Sequence, residues 1–273
     1  MQREADTNLA FDYLEHGTAL QKAGDLDAAI DHFKKAVTLA PQLPEAWFYL
    51  GIALDDNGDF EQAIDAYFQA IHLRPDFPEA WNNLGFAYHQ QEEWDLAAAA
   101  YKKAVDQRPD YYDAWSNLAD TLQAKGALQP ALEAMLKARE LGPDHHEIWY
   151  NLGNLLAMMG SLDASENSFL RSLALKPDNV DALFNLGTLY VRLQRYEDAC
   201  RTFEQALRLN PEDFESWSNL GAAHQKAGNY AEAVAAYRRA LSLKPDDPTI
   251  RSNLHQTLAF QDTEQPPPKP ATG

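Results

Sequence analysis

Proline returns every 34 residues, as Pro41, Pro75, Pro109, Pro143, Pro177, Pro211 and Pro245. A period of this length, kept without insertion or deletion, means one supersecondary unit repeated along the chain, with no single globular core. Taking Ala10, Pro44, Pro78, Tyr112, His146, Val180 and Phe214 as position 1 places each proline at position 32. Seven units follow: 10–43, 44–77, 78–111, 112–145, 146–179, 180–213 and 214–247.

Each unit has the pattern of a helical hairpin. Position 4 holds Tyr13, Trp47, Trp81, Trp115, Trp149, Leu183 and Trp217, and with positions 7 and 11 it marks one face of a first helix, A. Positions 17, 20, 21, 24, 27 and 28 mark a broader apolar face on a second helix, B. Position 8 is glycine or Ala119, positions 20 and 27 are alanine or serine, and position 24 is a ring or Met135. Small residues let two helices approach, and the large residue fills the adjacent gap. Gly24, Gly58, Gly126, Gly160 and Gly228 stand at position 15, where a helix C-terminus favours a left-handed residue; Glu92 and Gln194 break the habit. Asp25, Asp59, Ser161 and Asn229 are the expected caps of helix B. The expected class is all-α.

The spacing W-x2-L-G-x2-Y…A-x3-F-x2-A-x4-P resembles the tetratricopeptide repeat over about 238 of 273 residues. The resemblance implies a right-handed α-α superhelix whose A helices line a concave groove. The recurring Asn-Leu-Gly is most similar to the repeat region of the O-linked N-acetylglucosamine transferases, although no glycosyltransferase domain follows here. Residues 1–9 read as a lead-in. Residues 248–260 restart helix A with Ile250, Leu254 and Leu258, but carry Arg251, His255 and Gln256, so a capping helix is expected. Residues 261–273, Pro-rich with a P-x-x-P string, are expected to be a disordered tail.

Composition excludes several functions. Asp and Glu number 41 against 23 Lys and Arg, a net charge of −18, so a nucleic-acid partner would be repelled. No run of about 18 apolar residues suits a membrane, and no basic region followed by an apolar stretch marks a secretory signal. A cytoplasmic protein without membrane insertion is expected. Cys200 is the lone cysteine, so no intrachain disulfide forms; it reads as core filler. No H-x3-H, C-x2-C, glycine-rich phosphate loop or G-x-S-x-G elbow occurs, so neither a metal, a cofactor nor an enzyme active site is expected. Asp55, Asp56, His89 and Asp120 fall on groove positions of units two to four without a ligand spacing. His16 and His224 stand at core positions and read as satisfied core residues.

The candidate site is the groove. Position 6 is Asn83, Asn117, Asn151, Asn185, Asn219 and, in the cap, Asn253. Within the glycosyltransferase resemblance this slot is a peptide-binding asparagine ladder. An amide has donor and acceptor edges and can pair with any peptide bond. The alternative is that these amides bond neighbouring repeats. Asn82 joins the candidate set, with an apolar patch of Phe48, Tyr49, Ile52 and Phe86; Phe11 and Leu14 extend the apolar positions toward the N-terminus. Positions 2, 5, 6, 9, 12 and 13 of the seven units carry ten acids against Lys22, Arg192 and Lys226. Positions 2, 5 and 6 hold no base, so the carboxylate clamp of the family's co-chaperones is absent. The expected partner is a protein or extended peptide with basic and apolar residues. Two other readings stay open: the substrate-selecting part of a glycosyltransferase-like enzyme whose catalytic domain is absent, and a scaffold that self-assembles weakly through Phe11 and Leu14. Unit five, with Ser165, Glu166 and Ser172 in core slots, is a candidate hinge.

Overall fold

The computed structural model describes residues 2–264. These residues form fifteen α-helices and no strand. The chain divides into two compact units, Met1–Pro143 and Asp144–Gly273.

The first unit contains α1 (Gln2–Lys22), α2 (Leu26–Leu39), α3 (Pro44–Asp56), α4 (Phe60–Leu73), α5 (Pro78–Gln90), α6 (Trp94–Gln107), α7 (Tyr112–Ala124) and α8 (Leu128–Leu141). The second contains α9 (His146–Met158), α10 (Leu162–Leu175), α11 (Val180–Arg192), α12 (Tyr196–Leu209), α13 (Phe214–Lys226), α14 (Tyr230–Leu243) and α15 (Pro248–Glu264). Within each unit, consecutive helices pack side by side. Odd-numbered helices are the A helices of the repeat and even-numbered ones the B helices. α1 begins well before Ala10, and α15 continues past Phe260. The proline-rich segment 265–273 lies outside the described residues.

Helix B seals the core. Ala29, Phe33, Ala36, Ala63, Tyr67 and Ala70 are fully buried, as are their equivalents down the chain. On helix A the deepest positions are 3, 7 and 10, as in Ala46, Leu50 and Ala53. The tryptophans of position 4 are only half-buried. Each of Trp47, Trp115 and Trp217 donates its indole N–H to the proline carbonyl six residues earlier, at 2.9 Å, and Trp81 does so at 3.3 Å. They tie helix A to the preceding junction rather than filling the core. In the cap, Arg251 takes this slot and donates to the Pro245 carbonyl at 2.8 Å.

Helix A ends in a left-handed residue whether or not it is glycine. Gly58 has φ +82°, and Asp59 and Gly58 donate to the carbonyls of Leu54 and Asp55. Glu92 and Gln194 adopt φ of 60° and 59° and make the same pair of bonds. The turn therefore outweighs the Cβ cost of a left-handed L-residue, about 1–2 kcal/mol. Of the expected B-helix caps only Asp25 accepts a backbone N–H, from Ala28 at 3.2 Å; Asp59, Ser161 and Asn229 make no such bond. Asn179 and Asp213 cap A helices instead.

Each departure in repeat five has a partner. Ser165 and Ser172 donate to the carbonyls of Gly153 and His146 at 2.7 and 2.9 Å. Glu166 receives both Arg195 and the Tyr190 hydroxyl, and Arg195 lies over the Tyr190 ring. His16 is exposed rather than core, in edge contact with His32, and His224 keeps a buried Nδ1 with no hydrogen bond.

Candidate functional site

The six asparagines of position 6 are all half-buried. In the first unit, Asn117 donates to Asn82 Oδ1 at 3.1 Å, and Asn82 donates to Asn83 Oδ1 at 3.3 Å. On α4, the Tyr67 hydroxyl donates to Asp55 Oδ2 at 2.6 Å. Donors thus run from α7 to α5 through the three asparagines, and from α4 to a carboxylate on α3 through Tyr67. Such chains polarise one another, and their members hold fixed rotamers. Asn82, at 8% exposure, is an interior member of this chain rather than a surface contact. In the second unit, Asn185 donates to Asn154 Oδ1 at 2.8 Å and to the Tyr150 hydroxyl at 3.2 Å. Asn219 and Asn253 each line a shallow hollow, of about 300 and about 480 Å³. Asn117 and Asn185 thus already bond a neighbouring repeat at one edge.

The apolar patch separates into two kinds of residue. Phe48 packs on Phe77 with centroids 4.7 Å apart and on Tyr67 at 6.1 Å, and Tyr49 stacks on Phe33. Both sit between helices, half-buried, as does Ile52. Phe86 is 41% exposed and Phe11 49%. Leu14 is buried in the core and unavailable to a partner.

The acidic positions also divide. Arg74 pairs with Glu45 and Arg108 with Glu79, each arginine lying over a ring, Phe77 or Tyr111. Position 2 is therefore partly neutralised by position 31, a pairing that the arginines at equal offsets from Glu45 and Glu79 could have signalled. Burial pushes the Asp55 carboxyl up to about 7, opposed by the Tyr67 hydrogen bond and reinforced by Asp56. Burial alone raises Asp120 to about 7. His89 is lowered by burial and shares a 2.9 Å hydrogen bond with Thr121. Among the described residues, no group of three or more His, Cys, Asp or Glu is placed to hold a metal ion. Cys200 is buried, and its thiol is pushed up to about 11. Tyr67 is the residue that sequence reasoning missed. Its signal was the alternation at position 24, where Tyr67, Tyr101 and Tyr237 carry a hydroxyl that Phe33, Phe169 and Phe203 lack.

Helix pairs of this kind, with this repeat, define a tetratricopeptide solenoid. The chain belongs to the tetratricopeptide-repeat family: residues 78–266 match the model described as the Cilia and flagella-associated protein 70 C-terminal domain, and 17–58 and 53–92 match the TPR repeat. No curated protein matches the chain. Among solved structures, the C-terminal part of a TPR repeat-containing protein from Cytophaga hutchinsonii superposes with TM-score 0.70 at 16% identity, covering 88% of this chain and 99% of its own. YrrB, described as a TPR protein with an unusual peptide-binding site, gives 0.61 at 19% identity, covering 71% and 99%. The Cut9–Hcn1 hetero-tetramer of the APC/C gives 0.69 at 18%, covering 90% of this chain and 48% of the other. These likenesses establish the fold. No described helix is long and apolar enough to cross a membrane.

Proposed function

We propose that this chain is a non-enzymatic cytoplasmic scaffold whose A-helix faces bind an extended protein segment with basic and apolar residues. The observation that carries the reading is the row of half-buried amides at one helical position. Asn117 in the first unit and Asn185 in the second each donate to a neighbouring repeat, and Asn83 accepts from Asn82 of its own helix. An amide oriented in this way can meet a peptide backbone with its second edge at little ordering cost. Phe86, on the same helix as Asn83, offers an exposed apolar contact. YrrB, of the same fold, is described as having a peptide-binding site, and Cut9 is found assembled with Hcn1.

The test is a random peptide display library panned against the wild type and two variants, Asn83→Ala/Asn117→Ala and Asn151→Ala/Asn185→Ala/Asn219→Ala. Thermal melts establish that both variants remain folded. Peptides recovered by the wild type should lose about tenfold in affinity for at least one variant, as two or three hydrogen bonds of about 0.5–1.5 kcal/mol each require. Equal affinities would return the asparagines to a role between repeats.

A further inference from the structure

We propose that the nine residues following α15, QPPPKPATG (265–273), turn back onto the second unit and seat their proline run in the hollow that α13, α14 and α15 form beside Asn253. This goes beyond the peptide-binding reading and does not depend on it, because the occupant belongs to the chain itself.

The rings of the hollow are the first argument. Its volume is about 480 Å³, and Tyr230 and Phe260 both line it. Their rings stack with centroids 5.7 Å apart and planes 20° apart, and Phe260 still leaves 49% of its surface exposed. Extended proline-rich segments dock on aromatic surfaces of this kind, and a preformed polyproline II helix loses little freedom in doing so.

The second argument is the match of donors to acceptors. The remaining polar side chains of the hollow are Gln225, Lys226, Asn253, Gln256 and Tyr237. All carry N–H or O–H donors and none is a carboxylate, whereas the hollow beside Asn219 includes Glu215 and Asp247. Tyr237 donates to Gln225 Oε1 at 3.1 Å, which occupies the acceptor end of that amide and leaves its N–H groups for a ligand. Proline has no N–H, so the run Pro266–Pro268 offers carbonyl acceptors alone. A rim rich in donors and without carboxylates suits a backbone that only accepts.

Reach is the third argument. Helix α15 ends at Glu264, so Phe260 and Asn253 lie about 6 Å and about 17 Å back along it. As polyproline II, residues 265–273 span about 28 Å, enough to cover both. Gln265 precedes a proline, which disfavours the helical region there and takes the chain off the helix axis. So short a tether holds the prolines at an effective concentration of about a millimolar, and even a weak site is then filled.

The probe is a fluorescein-labelled synthetic peptide, QPPPKPATG, titrated into three full-length proteins and followed by anisotropy. They are the wild type, the variant Pro266→Gly/Pro267→Gly/Pro268→Gly/Pro270→Gly, and that variant with Phe260→Ala added. Phe260 is exposed, so its truncation should leave the fold intact, and thermal melts check this. The proline-free variant should bind the peptide about tenfold more tightly than the wild type, whose own segment competes. Adding Phe260→Ala should weaken that binding about tenfold. No binding by the proline-free variant, equal binding by it and the wild type, or binding indifferent to Phe260 would each overturn the proposal. So would a rise in sedimenting mass with concentration that the wild type shows and the proline-free variant lacks, since the segment would then sit in a second copy. The random-library test of peptide binding along the asparagines stands apart from all of these outcomes.

Discussion

A Cβ added at Gly187 would lie 2.8 Å from Cε1 of Phe203, on the partner helix of the same hairpin. The same encounter recurs at Gly17, Gly51, Gly85, Gly153 and Gly221, each against the ring at position 24 of its own repeat. Repeat four is the exception that explains the rule: Ala119 has the extra carbon, and Met135 stands in place of the ring. A flexible, unbranched side chain yields where a ring cannot. Gly187→Ala should therefore destabilise by about 1–3 kcal/mol through overpacking. In a Phe203→Met background the same substitution should cost little, a coupling of about 1–2 kcal/mol in a double-mutant cycle read by urea denaturation. Additive effects would disprove the pairing.

The left-handed residues without glycine offer a gain. Glu92→Gly and Gln194→Gly relieve a Cβ strain that the five other A-helix termini of this type avoid. Each should raise stability by about 1 kcal/mol, less the extra freedom glycine brings to the unfolded chain. The reverse change, Gly58→Gln, should lower the midpoint by a similar amount. A loss of stability on Glu92→Gly would mean that its side chain contributes more than its strain costs.

Acid should stabilise this protein across part of the pH range. Asp55 and Asp120 remain protonated in the fold up to about 7. In the unfolded chain both release their protons near 4. Between those values the native state binds more protons, so the free energy of unfolding falls as pH rises from about 4 to 7 and levels off above. Asp120→Asn removes one of the two contributions and should be more stable than wild type at pH 8, by about 1–2 kcal/mol, and closely similar to it at pH 4.5. His89, lowered by burial, acts in the opposite sense in both proteins and cancels from the comparison. Parallel pH profiles for the two proteins would overturn the burial argument for Asp120.

The junction bonds predict a modest, uniform penalty. Trp217→Phe keeps the ring and loses the donor to the Pro211 carbonyl, so about 0.5–1.5 kcal/mol should be lost. Arg251→Ala breaks the equivalent bond to Pro245 in the cap. Hydrogen exchange should then show faster opening of α15 than of α13. Uniform protection would show that the bond contributes nothing at the end of the stack.

Much of this architecture was readable from residue order alone. The period, the hairpin, the helix boundaries within a repeat and the buried face of helix B all follow from which residue types recur at which offset. Local sterics and apolar periodicity act within one helix and its immediate neighbour, so the chain order carries them. The half-exposure of Asn83, Asn117, Asn151, Asn185, Asn219 and Asn253 was legible for the same reason.

What residue order did not carry was the identity of each side chain's partner. Leu14 faced a groove on the helical wheel and is buried, and His16 stood in a core slot and is exposed. Glu45 and Glu79 counted as groove acids until Arg74 and Arg108 met them from the far end of the hairpin. Asp55 was an unremarkable carboxylate until Tyr67, passing the bare backbone of Gly51, brought a hydroxyl to it. Helical periodicity determines which way a residue points. Only the packing of one helix against another decides what it meets there, and with it whether a carboxylate is charged, paired or left waiting for a donor.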